Sequence, residues 1–295
     1  MPHTLILGVV AGGTIVLGLP LGRLRSPRHS RATATLRVYL TAASIGVLVF
    51  ILWDLLAQAW EIITASLEGA DPGTEHVLGP VALAVLLCVG VGVGLLSLAR
   101  YERWLTRERT RDPGARVVTV GAMLGRPGTL VVDEPPPRST SSLSPARRLA
   151  LLIAVGIGLH NFGEGLALGS NAAQGKMALA TVLVAGFAFH NATEGFGIIA
   201  PLAADVERPS WAFLLAVGAI GGAPTLLGTE VGSQFTSDPV SLVFLTVAAG
   251  SILYVIIQLV DIAVKGERRS ALYWGIWTGI VAGFATDLLL TASGA

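Results

Sequence analysis

The chain has 295 residues, 53% of them hydrophobic and only 13% charged, with a formal net charge of +1. Mean hydropathy is +0.70, and a water-soluble chain of this length would need far more polar surface. That composition excludes a soluble enzyme, gives no reason to expect a nucleic-acid partner, and makes a lipid bilayer the expected surroundings. A single cysteine, Cys88, excludes a disulfide framework and a thiolate cluster.

Eight apolar stretches are long enough to cross a hydrocarbon core, which takes about 20 residues in a helix. They fall near residues 4–20, 36–60, 76–99, 149–170, 178–201, 210–231, 240–262 and 271–290. The expected fold is therefore an all-α membrane protein of eight transmembrane helices. The first stretch, MPHTLILGVVAGG, lacks the basic start of a cleaved signal and reads as a span. Glycine is frequent inside the spans, where small residues let helix backbones approach closely.

Basic residues fall on one side of this arrangement. The loops 21–35, 100–148, 202–209 and 263–270 hold Arg23, Arg25, Arg28 and Arg31, the run from Arg100 to Arg148, Arg208, and Lys265, Arg268 and Arg269. The opposite loops hold only Lys176. The positive-inside rule then puts both termini outside. On that outer side, Glu61, Glu68 and Asp71, with Glu75 and His76 at the mouth of the third span, form either an ordinary solvated loop or a cation-concentrating entrance.

The segment 100–148 divides the chain into spans one to three (1–99) and spans four to eight (149–295). YERWLTRERTR extends the third helix, and RVVTVGAMLGRPGTLVVDE suggests a hairpin about Gly125-Arg126-Pro127-Gly128. EPPPRSTSSLSP reads as a linker. The loop contains no histidine, so no metal-buffering role is expected of it.

The chemistry lies in the fourth and fifth spans. HNFGEG and HNATEG are two copies of H-N-x-x-E-G, and on a helix the spacing puts His160, Asn161 and Glu164 on one face. His190, Asn191 and Glu194 repeat that face on the next span. An ionisable side chain at bilayer depth costs roughly 2.5–3.5 kcal/mol, so such groups normally face a protein interior and serve a function. One H-x-x-x-E alone is more often a core histidine bonded to a neighbour. Two copies in register point instead to a divalent cation that offsets the carboxylate charge. At about 1.5 Å per residue, Glu164 is expected roughly 6 Å nearer the outside than the histidines and Glu194 roughly 6 Å nearer the cytoplasm, a short ladder across the membrane centre.

Imidazole, carboxylate and amide oxygen suit borderline ions: Zn²⁺ first, with Cd²⁺, Fe²⁺ and Mn²⁺ open. Absence of cysteine and methionine from the motifs disfavours Cu(I), and an all-oxygen Ca²⁺ or Mg²⁺ site would not need two histidines. Asp54, Glu230 and Asp287, in the outer halves of their spans, are candidate pathway residues. Each is equally well read as a carboxylate paired near the interface. Gln258 and Asp261 are weaker candidates for release.

Both segments resemble the fourth and fifth helices of the ZIP (Zrt-/Irt-like) metal transporters, nearest the GufA-like bacterial members. The motif likeness is confined to this core, while the hydropathy pattern extends it over nearly the whole chain. The resemblance implies a ZIP-like bundle in a bacterial inner membrane, a homodimer, and transport of a divalent cation into the cytoplasm by alternating access without ATP. It makes His160, Glu164, His190 and Glu194 first candidates for ligands, with Asn161 and Asn191 as further ligands or supporting donors. The chain departs from the family in two places. Gly163 and Thr193 replace the motif prolines; Gly still permits bending, and Thr can bond back to the preceding turn. In the sixth span, GGAPTLLG aligns Pro224 with a family proline and puts Ala223 where relatives carry a metal-bridging glutamate. One ion per site is then expected, with glutamate at 223 raising occupancy. A membrane-embedded hydrolase using the same ligands, or a relative that binds metal without moving it, are the alternatives.

Overall fold

The computed structural model describes residues 2–23, 31–68, 75–110, 143–175, 177–204, 207–234 and 238–292. Among these there are eight helical segments long and apolar enough to cross a membrane, and no strand. The first span, Leu5–Arg23, runs from α1 (Pro2–Gly13) through the turns that follow it, and the others are α2 (Arg31–Glu68), α3 (Glu75–Thr110), α4 (Pro145–Ala173), α5 (Met177–Ile199), α6 (Trp211–Gly232), α7 (Asp238–Lys265) and α8 (Arg269–Ala292). The basic stretch after residue 100 does continue α3, as far as Thr110. The hairpin read about Gly125–Gly128, the Pro/Ser-rich linker up to residue 142 and Asp71 lie outside the described residues.

Two helices start on serine caps. Ser144 Oγ accepts the Arg147 amide at 3.2 Å with Pro145 opening α4, and Ser210 Oγ accepts the Phe213 amide at 3.1 Å to open α6. Each hydroxyl satisfies an N–H that would otherwise lack an intrahelical acceptor. The first span is less regular than its hydropathy suggests. After Gly13 the backbone tightens into two 3₁₀ turns, Thr14–Leu17 and Leu19–Arg23. Gly18 and Pro20 weaken an α-helix there, and Gly18 packs directly on Gly195 of α5, one residue past Glu194.

The helices sort by packing. α4 lies along α6, with α1 and α5 against them; α2 lies along α8 and α3 along α7, with α2 also on α7. The two groups meet chiefly where α4 touches α7 and α5 touches α2. Two buried serines cross that seam: Ser251 Oγ donates to the Gly156 carbonyl at 2.9 Å, and Ser44 Oγ to the Thr193 carbonyl at 2.7 Å. With no hydrophobic drive between helices in lipid, close packing and such bonds hold a bundle together. The closest packing is glycine-mediated. On α4, Gly158 sits on the Ile220 carbonyl, which Pro224 leaves without its usual intrahelical donor. Gly165 and Gly169 sit on Thr225 and Thr229, and from α6 Gly228 and Gly232 sit on Phe162 and Leu166.

Candidate metal site

α4 and α5 bring the two motif faces together inside the bundle. His160, Asn161, Glu164, Asn191 and Glu194 are buried and His190 is nearly so, with 15% of its side chain exposed. Glu164 Oε1 lies 3.1 Å from His160 Nε2 and 2.5 Å from His190 Nε2, while Glu194 Oε1 lies 3.6 Å from His160 Nε2. One ligand atom from each of His160, Glu164 and His190 falls within 4.8 Å of the others. The imidazole centroids are 6.2 Å apart, and Phe187 packs on His190 at 5.5 Å.

The expected ladder is therefore compressed into one cluster. Side chains at i and i+4 lean over the same patch of helix surface, and two glutamate stems span the rise that separates the backbones. Both nitrogens of His160, Nε2 of His190, Oε2 of Glu164 and both oxygens of Glu194 are buried without a hydrogen-bond partner among the described residues. Leaving one buried polar atom unsatisfied costs about 1–3 kcal/mol, more if charged. Lone pairs that converge on a point fit a cation better than they fit each other.

The asparagines are held from outside the cluster. Asn161 Nδ2 donates to the Gly221 carbonyl of α6 and Asn191 Nδ2 to the Ala11 carbonyl of α1, both at 2.9 Å. Each Oδ1 stays buried and unpartnered. Each amide nitrogen thus gives one of its two N–H groups to a neighbouring backbone, which fixes the side chain and leaves its oxygen available as an acceptor. Thr193 Oγ1 bonds back to the His190 carbonyl at 2.6 Å, the behaviour expected of it in place of proline.

The candidate pathway residues separate. Asp54 is half-buried, receives a hydrogen bond from Gln58 at 2.7 Å, and lies close enough to Asp287, His160 and Glu164 to feel their charges. Glu230 is instead engaged locally by Gln234 at 3.3 Å. Gln258 donates to Glu102 at 2.8 Å, tying α7 to α3, and Asp261 pairs with Lys265 on the surface. Neither is drawn into the cluster.

Ala223 does not face it either. It is exposed, on the side of α6 that also exposes Leu215 and Leu227. The α6 side chain buried along the Asn161–Gly165 stretch is Thr225, fully buried with an unpartnered hydroxyl. Sequence reasoning passed over Thr225, because nothing in PTLLG distinguishes a threonine facing in from one facing out. Ala223→Glu is accordingly expected to leave metal stoichiometry unchanged in a binding titration and to lower stability by roughly 2–3 kcal/mol, the cost of a carboxylate on an outer apolar face. A second equivalent of bound metal in that variant would put residue 223 back at the site.

Eight apolar spans around a buried imidazole–carboxylate cluster define an integral membrane protein with ionisable side chains gathered inside its bundle. Comparison with known families matches residues 107–289 to the ZIP zinc transporter family. The chain belongs to that family, whose members carry divalent metal ions across membranes and are transporters rather than enzymes. No curated protein matches the chain.

Proposed function

We propose that the transported ion is held between α4 and α5 by His160, Glu164, His190 and Glu194, with Asn161 and Asn191 supplying amide oxygens. The observation that carries this reading is the convergence of buried, mutually unsatisfied lone pairs from both motifs. Two imidazoles among carboxylates favour Zn²⁺, with Cd²⁺, Fe²⁺ and Mn²⁺ as competitors. Both termini lie outside, as the one-sided loop arginines favour, and the cation moves into the cytoplasm of a bacterial cell through its inner membrane. Asp54 and Asp287 line the outer approach, with Glu230 peripheral to it. α1, α4, α5 and α6 move as a unit against α2, α3, α7 and α8, exposing the cation alternately to each side, in a homodimer.

Uptake of radioactive Zn²⁺ into proteoliposomes, with the other three cations as competitors, tests the reading. Saturable accumulation with Zn²⁺ preferred is expected; stoichiometric binding without accumulation in the lumen would favour a metal-binding relative that does not transport. Asn161→Ala and Asn191→Ala are each expected to weaken metal affinity about 10–100-fold, the usual effect of removing a group that orients or supplements the ligands. Isothermal titration of the purified variants measures this, and unchanged affinity in both would remove the asparagines from the site.

A further inference from the structure

At the end of the bundle where α2 begins, α7 ends and α8 begins, the surface opens into a cavity of about 820 Å³. Arg268, Arg269 and Ser270 stand on its rim, and Leu36, Ala271 and Trp274 form an apolar wall. Leu36 and Trp274 are 52% and 59% exposed, so the wall runs out onto the outer surface of the spans. Below it, Tyr39 and Thr278 share a hydrogen bond of 2.9 Å that closes α2 against α8. The cavity thus grades from cationic at the membrane edge to apolar toward the hydrocarbon.

The rim is held by a short, defined turn. Gly266 and Glu267 donate to the Ala263 and Val264 carbonyls at 3.2 Å, and the Arg268 carbonyl accepts the Leu272 amide at 3.0 Å to start α8. Glu267 takes a left-handed conformation, φ 53°, which few non-glycine residues adopt. Gly266 packs against Val38 of α2 where a side chain would collide. Neither rim arginine has an ion-pair partner among the described residues. Asp261 is engaged by Lys265. Glu267 also lines the cavity and offsets one of the two positive charges, while the unbonded first-turn amides of α8 add their partial positive charge.

We propose that this cavity binds an anionic phospholipid, its phosphate on Arg268 and Arg269 and the start of an acyl chain along Leu36 and Trp274. Basic pockets at the ends of membrane helices suit such headgroups, and guanidinium pairs well with phosphate oxygens. A soluble phosphate would use the rim but gain nothing from the wall, so the combination selects the lipid. The site lies on the α2, α7 and α8 side of the molecule and does not depend on where the metal binds.

Native mass spectrometry of the full chain, titrated in micelles with phosphatidylglycerol or phosphatidylcholine, tests this. The wild type is expected to retain phosphatidylglycerol in preference, and R268Q/R269Q to bind it roughly 30-fold more weakly, from about 1 kcal/mol per basic residue at an anionic headgroup. R148Q/R208Q, with the same loss of charge at the same end of the bundle, is expected to keep it. R268K/R269K is expected to retain most of the binding, which separates lost charge from lost folding. Equal loss in R148Q/R208Q would reduce the effect to general surface charge and overturn the proposal. So would the absence of any wild-type preference between the two lipids. Displacement of bound phosphatidylglycerol by millimolar inorganic phosphate, equally well in wild type and Trp274→Gln, would assign the rim to a soluble anion and also overturn it.

Discussion

Replacing Glu164 with alanine is expected to reduce divalent-cation uptake to background and to cost the most metal affinity of any single alanine in the cluster. Its Oε1 is, among the described residues, the one carboxylate oxygen close to both imidazoles, 3.1 Å from His160 Nε2 and 2.5 Å from His190 Nε2. Without it the two histidines lose the carboxylate they share, and only Glu194, 3.6 Å from His160, is left to offset a dication's charge. Breaking a buried charged pairing by removing one partner costs about 3–5 kcal/mol, or roughly 10²–10⁴-fold if carried wholly into affinity. Glutamine keeps the length and one oxygen but not the charge, so Glu164→Gln falls between alanine and wild type. Glu194→Ala and His190→Ala are expected to abolish uptake as well, with His190 the more forgiving in binding because it retains some exposure. Tracer flux at matched protein density, alongside equilibrium binding, gives the comparison. Wild-type flux through Glu164→Ala would mean that the cation passes elsewhere.

The second large effect is on the bundle itself. Gly165→Leu is expected to prevent α4 from docking on α6 and to leave little folded protein. A Cβ at Gly165 would stand 2.8 Å from the Thr229 backbone nitrogen and 2.9 Å from the Thr225 carbonyl carbon, with no flexible side chain able to yield. Even Gly165→Ala must push the helices apart, at a cost of about 1–3 kcal/mol for an overpacked contact. Gly228→Ala meets the same obstacle from the other side, against Phe162 and Leu166. Gly92 of α3 provides the contrast, since a Cβ there meets nothing within 4 Å. Gly92→Ala is expected to be neutral or slightly stabilising, as alanine is the better helix former. Thermal unfolding followed by size-exclusion fluorescence separates the two classes. Equal tolerance at Gly165 and Gly92 would mean that the α4–α6 crossing is not as close as described.

This contrast also marks how far the sequence could be read. Eight spans were legible because a 20-residue apolar run is a strong, local signal. The inward turn of His160, Glu164, His190 and Glu194 was legible because two polar faces in register have few other places to go in lipid. What was not legible depended on partners distant in the chain. Asn161 and Asn191 orient through the Gly221 and Ala11 carbonyls, 60 and 180 residues away, and no periodicity announces a backbone acceptor. The facing of α6 was misjudged for a related reason. Pro224 suggests an alignment, but only the packing of Gly221, Thr225 and Gly228 on α4 fixes which side is in, and it leaves Ala223 out. The 3₁₀ turns after Gly13 were hidden by a hydropathy profile that is blind to backbone pitch. Compression of the ladder into a cluster follows from side-chain reach, which spacing along a helix axis does not capture.

X-ray absorption at the zinc edge, on protein loaded with one equivalent of Zn²⁺, tests the central claim most directly. Imidazole nitrogens at about 2.0–2.1 Å and carboxylate oxygens at about 2.0–2.2 Å are expected around the metal, with the imidazole scattering halved in His160→Ala or His190→Ala and lost in the double variant. A spectrum without imidazole, or one that both histidine substitutions leave unchanged, would contradict a cation held between α4 and α5.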